Sequence, residues 1–122
     1  MPTAAYVRRI VRLLPEVEER LAWDSATFRV RGRMFALLSP KEETVTAKAS
    51  LAEQRALQAS DGQTFASAPY TGRFGWVRVQ LASVDQDQLH ELLVEAWHRT
   101  APEYVTAGYS ASFVEIEEVP RL

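Results

Sequence analysis

The sequence predicts an α+β fold: a two-layer sandwich in which an antiparallel β-sheet is backed by an N-terminal and a C-terminal helix. Three observations predict it. The chain begins with a helical pattern of apolar residues, continues with short segments of alternating polarity, and returns to a longer helical pattern near its end. Helices that flank a run of short strands are typical of this class. A chain of 122 residues is expected to form one domain, with a core at about 3–105 and a tail at 106–122.

The first helix is predicted by the spacing of Val7, Ile10, Val11 and Leu14, which recur at i, i+3, i+4 and i+7. Thr3 is a suitable N-cap. The proline that follows Leu14 disfavours a helical conformation at that residue, so the helix is expected to end there.

The middle of the chain predicts a meander of strands. Residues 27–31 alternate and residues 33–39 form a largely apolar return strand, with Gly32 able to supply the positive φ of the turn between them. A strand is also expected around Arg20 to Trp23. Further strands are expected at 44–49, 64–68 and 75–81.

Two more helices have clear start signals. Ser50 and Glu53 form a capping box that opens a helix to about Ser60. Asp85 caps the last long helix, whose apolar stripe consists of Leu89, Leu92, Leu93, Ala96 and Trp97. The tail contains FVEIEEV, which is either a final strand or a flexible arm.

Composition limits the classes of function. There is no cysteine, which excludes disulfides, thiolate metal sites and thiol nucleophiles and suits a reducing compartment. With no leader pattern and no long apolar run, the expected location is the cytoplasm. The net charge is −2, but the charges are unevenly distributed. Residues 1–33 hold seven arginines and four acidic residues, whereas residues 85–122 hold two arginines and eight acidic residues. A basic front could serve a polyanionic partner, or both regions could be ordinary solvated faces.

The order of several segments resembles the MmcQ/YjbR family of small bacterial proteins. The segments are LPEVEER, WDSATFRVRGRMFALLS, APYTGRFGWVRVQL and ELLVEAWHR, which together span roughly Leu14 to Tyr104. The resemblance implies a frataxin-like (CyaY-like) sandwich. It also implies DNA binding, the function usually assigned to the family. The family has no accepted catalytic residues that could be matched to positions in this sequence.

Arginines form the candidate nucleic-acid site. Arg29, Arg31 and Arg33 surround the Gly32 turn. Because side chains alternate along a strand, those of Arg29 and Arg31 are predicted to point from the same face. The planar guanidinium donates two hydrogen bonds to a phosphate at once. Trp76 is expected opposite the core residues of its strand, either packed beneath the neighbouring loop or forming a surface for stacking. The complete set of candidate residues is Arg29, Arg31, Arg33, Arg73, Trp76 and Arg78.

Neither an enzyme nor a metal site is predicted. Glu91, Glu95 and His98 share one helical face, but carboxylate-bridged metal sites need matching ligands from other helices. No nucleophile elbow or phosphate loop occurs. We therefore expect a non-enzymatic DNA-binding protein without a cofactor. The alternatives are a protein-interaction module with an aromatic groove, and a small-ligand or metal binder of frataxin-like fold.

Overall fold

In the part of the chain that the structure describes, six strands form one sheet, and helices pack against it. A computed structural model describes residues 2–107 and 109. The elements are α1 (Ala4–Arg12), β1 (Val17–Ala22), β2 (Ser25–Val30), β3 (Arg33–Ser39), β4 (Thr44–Ala47), α2 (Leu51–Ser60), β5 (Phe65–Ser67), β6 (Val77–Gln80) and α3 (Gln86–Thr100). The strand order is β1-β2-β3-β4-β6-β5, and every neighbouring pair is antiparallel. The predicted α+β fold class is confirmed.

The caps of the helices follow the sequence signals. The hydroxyl of Thr3 accepts a hydrogen bond from the N–H of Tyr6, and that of Ser50 accepts one from the N–H of Glu53. The carboxylate of Asp85 accepts one from the N–H of Gln88. Each cap satisfies an N–H that the first turn of a helix leaves without a partner.

The β2–β3 hairpin turns at Arg31 and Gly32, whose φ angles are +52° and +79°. Two successive positive φ angles are those of the two-residue turn that matches the twist of a hairpin. The ladder also shifts by one residue between Phe28 and Arg29. Arg31 therefore lies in the turn, outside the regular alternation of β2.

The first strand begins three residues earlier than predicted and ends one residue earlier. It covers Val17–Ala22 and ends in a tight turn, because Ala22 pairs with Ser25. Trp23 occupies that turn with a φ of +50° and is fully exposed. A bulky residue in this region of backbone space is unusual, so Trp23 itself does not indicate a turn.

The core lies between the helices and one face of the sheet. Val7, Val11, Leu93 and Trp97 belong to the same buried cluster as Val45 and Val79 of the sheet. The indole N–H of Trp97 donates a hydrogen bond to the carbonyl oxygen of Pro15, 3.0 Å away, which ties α3 to the end of α1. α2 lies beside α3, and its Gln58 donates a hydrogen bond to Ser67.

We call the other side of the sheet the open face. Because side chains alternate along a strand, the residues that follow or precede core residues lie there. The register aligns one row of them across all six strands: Arg20, Thr27, Leu37, Thr46, Arg78 and Ala66. Arg29 lies one step nearer the β2–β3 turn.

The end of the sheet that carries the β2–β3 turn is called the hairpin end. Ala36 pairs with Ala47, and Ala47 pairs with Val77, so residues 48–50 and the loop at 68–76 lie at the same end. The segments 23–24, 40–43, 61–64 and 81–85 lie at the opposite end.

Packing continues beyond α3. Tyr109 is buried, and its ring meets that of Trp97 edge-on with the centroids 4.9 Å apart. The segment FVEIEEV lies outside the described residues. No helix in residues 2–107 and 109 is long and apolar enough to cross a membrane.

Candidate nucleic-acid interface

Arg29 is the first candidate residue that the structure places on the open face. It is half-buried, and its Nη1 donates a long hydrogen bond of 3.4 Å to the carbonyl oxygen of Gly32. Its Nε is buried and has no hydrogen-bond partner among the described residues. A buried donor without a partner costs free energy, so the position of Arg29 is not explained by a gain in stability.

Arg78 repeats this pattern on β6. It faces Thr46 on one neighbouring strand and Ala66 on the other, neither of which carries a charge. Its Nε is likewise buried and lacks a partner in the described part of the chain. β2 and β6 are separated by β3 and β4. At about 4.8 Å per strand, the backbones of the two arginines lie about 14 Å apart across the sheet.

Arg31 has another role. Its Nε lies 2.6 Å from Oε1 of Glu16, and its guanidinium carbon lies 5.4 Å from the centroid of the Tyr104 ring. These contacts tie the β2–β3 turn to the segments after α1 and α3. The prediction that the side chains of Arg29 and Arg31 lie on the same strand face is wrong, because β2 ends at Val30 and Arg31 lies in the turn with a positive φ, where its guanidinium contacts Glu16 and Tyr104. Arg33 begins β3 and is exposed.

The loop at 68–76 carries Arg73. The carbon of its guanidinium lies 4.8 Å from the centroid of the Phe74 ring, within the range of a cation–π contact. Arg73 is exposed, and it lies at the hairpin end with Arg29 and Arg33. Lys48, which sequence reasoning missed, is half-buried at the same end; its N–H bonds to the carbonyl oxygen of Phe35.

Trp76 is buried, with 8 % of its surface exposed. Its ring is therefore closed to a stacking base, and we leave Trp76 out of the candidate site. Burial was one of the two interpretations that the sequence left open.

A buried glutamine holds the backbone around Trp76. The Nε2 of Gln54 donates hydrogen bonds to the carbonyl oxygens of Gly72 and Trp76, at 2.9 and 2.7 Å. Gln54 itself is 5 % exposed. Sequence reasoning missed it because its partners lie 18 and 22 residues away and nothing in the local pattern of α2 marks it.

The two ends of the sheet differ in charge. At the hairpin end, the loops and strand ends carry mainly cations, and the nearby Glu16 is paired with Arg31. Glu18 faces Arg29 across β1 and β2. The connections at the opposite end are mainly acidic: Asp24, Glu42, Glu43, Asp61 and Asp85, with Lys41. The hairpin end is therefore the more positive of the two ends.

The face of α3 that carries Glu91 and Glu95 borders a groove against α2. The groove has a volume of about 200 Å³ and is lined by Glu53, Leu57, Gln88, Glu91, Leu92 and Glu95. His98 is exposed and contacts the edge of Trp97. Within the described ranges, no three His, Cys, Asp or Glu residues are grouped so that they could hold a metal ion.

These features define an α+β sandwich with arginines on the open face of an antiparallel sheet. The model of the YjbR family matches residues 12–99. The chain therefore belongs to the YjbR family, as the resemblance had indicated.

The fold is also that of a solved protein. The chain is similar to the crystal structure of the Deinococcus radiodurans protein DR2400, which is assigned a DUF419 domain, with a TM-score of 0.73 and 24% sequence identity. The match covers 80% of this chain and 77% of that one. Comparison with curated proteins gives no match.

Proposed function

We propose that this protein binds DNA without catalysing a reaction, and that the contacts come from the open face and hairpin end of its sheet. The binding residues are Arg29, Arg33, Arg73 and Arg78, which we call the arginine surface. We place the activity in the cytoplasm, in keeping with a chain that lacks cysteine.

The observation that carries the proposal is the pair of half-buried arginines on the open face. Arg29 and Arg78 each keep a buried Nε without a partner in the described residues. This arrangement costs stability. The positions of the two arginines are therefore better explained by an external ligand that accepts hydrogen bonds from their remaining guanidinium N–H groups. Phosphate oxygens are suited to that role.

Charge supports the same conclusion. Arg33 and Arg73 are exposed at the hairpin end, so they add two cations beside the half-buried pair. Glu18 is the acidic neighbour of Arg29, while the acidic connections lie at the far end. These four arginines therefore lie on the open face and the hairpin end, although the chain as a whole carries a net charge of −2.

The test is the salt dependence of DNA binding. We would measure the affinity for mixed-sequence duplex and single-stranded DNA by fluorescence anisotropy at several salt concentrations. Each phosphate contact that is lost lowers the salt slope by about 0.9 on duplex DNA and about 0.7 on single strands. The triple variant Arg29→Gln, Arg33→Gln and Arg78→Gln is expected to weaken binding. Its salt slope is expected to be flatter by the amount that corresponds to two or three lost phosphate contacts.

Arg9→Gln is the matched control. Arg9 is an exposed arginine of α1, in the helical layer, so this variant removes one positive charge away from the sheet and is matched to each single substitution of the triple variant. It is expected to bind DNA nearly as well as the wild type. Equal affinity of the triple variant and the wild type would refute the arginine surface. A flat response of the wild type to salt would favour the protein-interaction alternative.

Arg78→Met separates function from stability. Methionine keeps the apolar contacts of the side chain and removes the unpartnered Nε. Replacing a poorly satisfied buried polar group by an apolar one of similar shape is often neutral or stabilising. We expect an unchanged or higher melting temperature together with weaker DNA binding; a less stable variant would mean that Arg78 serves the fold.

A further inference from the structure

Two aromatic rings are exposed at the hairpin end beside the arginine surface. Tyr70 is 94 % exposed and Phe74 is 63 % exposed, while Trp76, two residues further on, is 8 % exposed. The loop at 68–76 thus buries one aromatic ring and presents two. Exposed aromatic rings beside cations are the combination with which proteins hold unpaired bases.

The backbone of this loop is held by its own chain. The N–H of Gly72 donates to the carbonyl oxygen of Ala68 (2.9 Å), and Gln54 holds the carbonyl oxygens of Gly72 and Trp76. A β-carbon at Gly72 would come within 3.0 Å of Cβ of Ser67. The two rings are therefore carried on a fixed loop, which lowers the entropy lost when a ligand is bound.

Tyr70 is also held in an unfavourable conformation. Its φ is +66°, and the N–H of Thr71 donates a 2.7 Å hydrogen bond to the carbonyl oxygen of Pro69, which closes a three-residue turn around it. Turns of this kind with a positive central φ are rare and strained. Because the ring of Tyr70 packs so little against the protein, the strain at this residue is not explained by packing. It is more readily explained by a ligand that contacts the ring from outside.

The form of DNA follows from what the rings can reach. In a duplex both faces of each base are covered by neighbouring base pairs, so an aromatic side chain gains contact only by unstacking them. In a single strand the bases are free to stack on Tyr70 or Phe74, while Arg73, whose guanidinium lies beside the Phe74 ring, carries a cation for an adjoining phosphate.

We infer that the loop at 68–76 makes the protein prefer single-stranded DNA, with Tyr70 and Phe74 as the stacking platform. This inference rests on the proposed DNA binding and specifies its substrate. The arginine surface binds phosphates in either form of DNA, and the two rings add affinity for unpaired bases alone.

The experiment compares one labelled mixed-sequence oligonucleotide as a single strand and as a duplex with its complement. We expect the wild type to bind the single strand more tightly. The double variant Tyr70→Ala and Phe74→Ala is expected to lose at least about tenfold in single-strand affinity, since stacking on an aromatic ring is substantial for each base. Its affinity for duplex DNA is expected to stay within about twofold of the wild type.

Trp23→Ala is the matched control. Trp23 is an exposed aromatic residue with a positive φ, like Tyr70, but it lies at the opposite end of the sheet. Its substitution is expected to leave both affinities unchanged. If the double alanine variant does not fold, Phe74→Leu keeps apolar bulk and removes only the aromatic face, and is expected to weaken single-strand binding in the same direction.

The outcomes separate the two proposals. If the wild type binds duplex DNA as tightly as the single strand, or if the folded aromatic variants keep wild-type affinity for the single strand, the preference is refuted and DNA binding stands. If the wild type binds neither form, the proposed function fails and the inference fails with it.

Discussion

Gly75 packs directly against the carbonyl oxygen of Ala49: a β-carbon on residue 75 would lie 2.5 Å from that oxygen. Gly75 also has a φ of +104°, a conformation that side chains disfavour. The glycine thus joins the loop at 68–76 to the start of α2. The space left by its missing side chain is filled by the protein's own backbone and is closed to a ligand.

We expect Gly75→Ala to destabilise the protein by about 2 kcal/mol or more. The positive φ alone costs on the order of 1–3 kcal/mol for a residue with a side chain, and the new β-carbon must also displace backbone atoms of residues 49–51. Urea unfolding followed by circular dichroism measures the difference.

Gly62→Ala is the control for this prediction. A β-carbon there would meet the carbonyl oxygen of Gln58 at 3.5 Å, an ordinary contact. We expect a change within about 1 kcal/mol. Equal stabilities of the two variants would show that the approach of Gly75 to Ala49 is not a constraint on the fold.

Local signals were sufficient for most of the fold. The helix caps, the Gly32 turn and the strand at Arg33–Ser39 depend on residues that lie within a few positions of one another. The turn at Trp23 and the place of Arg31 could not be predicted, because each depends on pairing between strands. For the proposed site, the sequence could indicate that arginines surround the Gly32 turn and flank Trp76. It could not say which aromatic residues of the loop at 68–76 are exposed, since that depends on how the loop packs against distant parts of the chain, such as Gln54.

Trp76 is expected to stabilise the fold. Its side chain is 8 % exposed, and its carbonyl oxygen accepts hydrogen bonds from Gln54 and from the N–H of Ala68. Emptying a buried tryptophan site costs about 3–5 kcal/mol, so we expect Trp76→Ala to lower the melting temperature strongly. Differential scanning calorimetry measures the shift.

The comparison for Trp76→Ala is again the fully exposed Trp23. Since surface substitutions usually change stability by no more than about 0.5 kcal/mol, Trp23→Ala should melt close to the wild type. A Trp76→Ala protein that keeps the wild-type melting temperature but loses DNA affinity would return Trp76 to the binding site.

Arg31 is expected to matter less for DNA than Arg33. Its guanidinium is already paired with Glu16 and lies against the ring of Tyr104. We therefore expect Arg31→Gln to reduce DNA affinity less than Arg33→Gln does, in the same anisotropy assay. A greater loss for Arg31→Gln would show that the pair opens when DNA binds.

The pairing of Arg31 with Glu16 is measurable by itself. Both side chains are about half exposed, and such ion pairs contribute about 0–1 kcal/mol. A double-mutant cycle with Arg31→Gln and Glu16→Gln should give a coupling energy of that size, smaller at high salt because exposed charges are screened. A coupling energy of zero at low salt would show that the two side chains do not interact in solution.

The last prediction concerns Asp61, which follows α2. Its carboxylate accepts a 2.6 Å hydrogen bond from the hydroxyl of Thr64 and further bonds from the N–H groups of Thr64 and Gln63. The hydroxyl bond is the main cause that lowers the pKa of Asp61 below its usual value of 3.8. The folded protein therefore binds a proton at Asp61 less readily than the unfolded chain. The resulting stabilisation is present above about pH 4 and is lost as the pH falls through the pKa of the folded state.

We expect the wild type to exceed Asp61→Asn in stability at neutral pH, and this difference in stability to narrow as the pH is lowered below 4, in urea titrations of both proteins. Thr64→Val, which removes the hydroxyl, should bring the pKa of Asp61 back towards its usual value in an NMR titration. Stability curves of the wild type and Asp61→Asn that run parallel between pH 7 and pH 2 would show that the carboxylate does not sense folding.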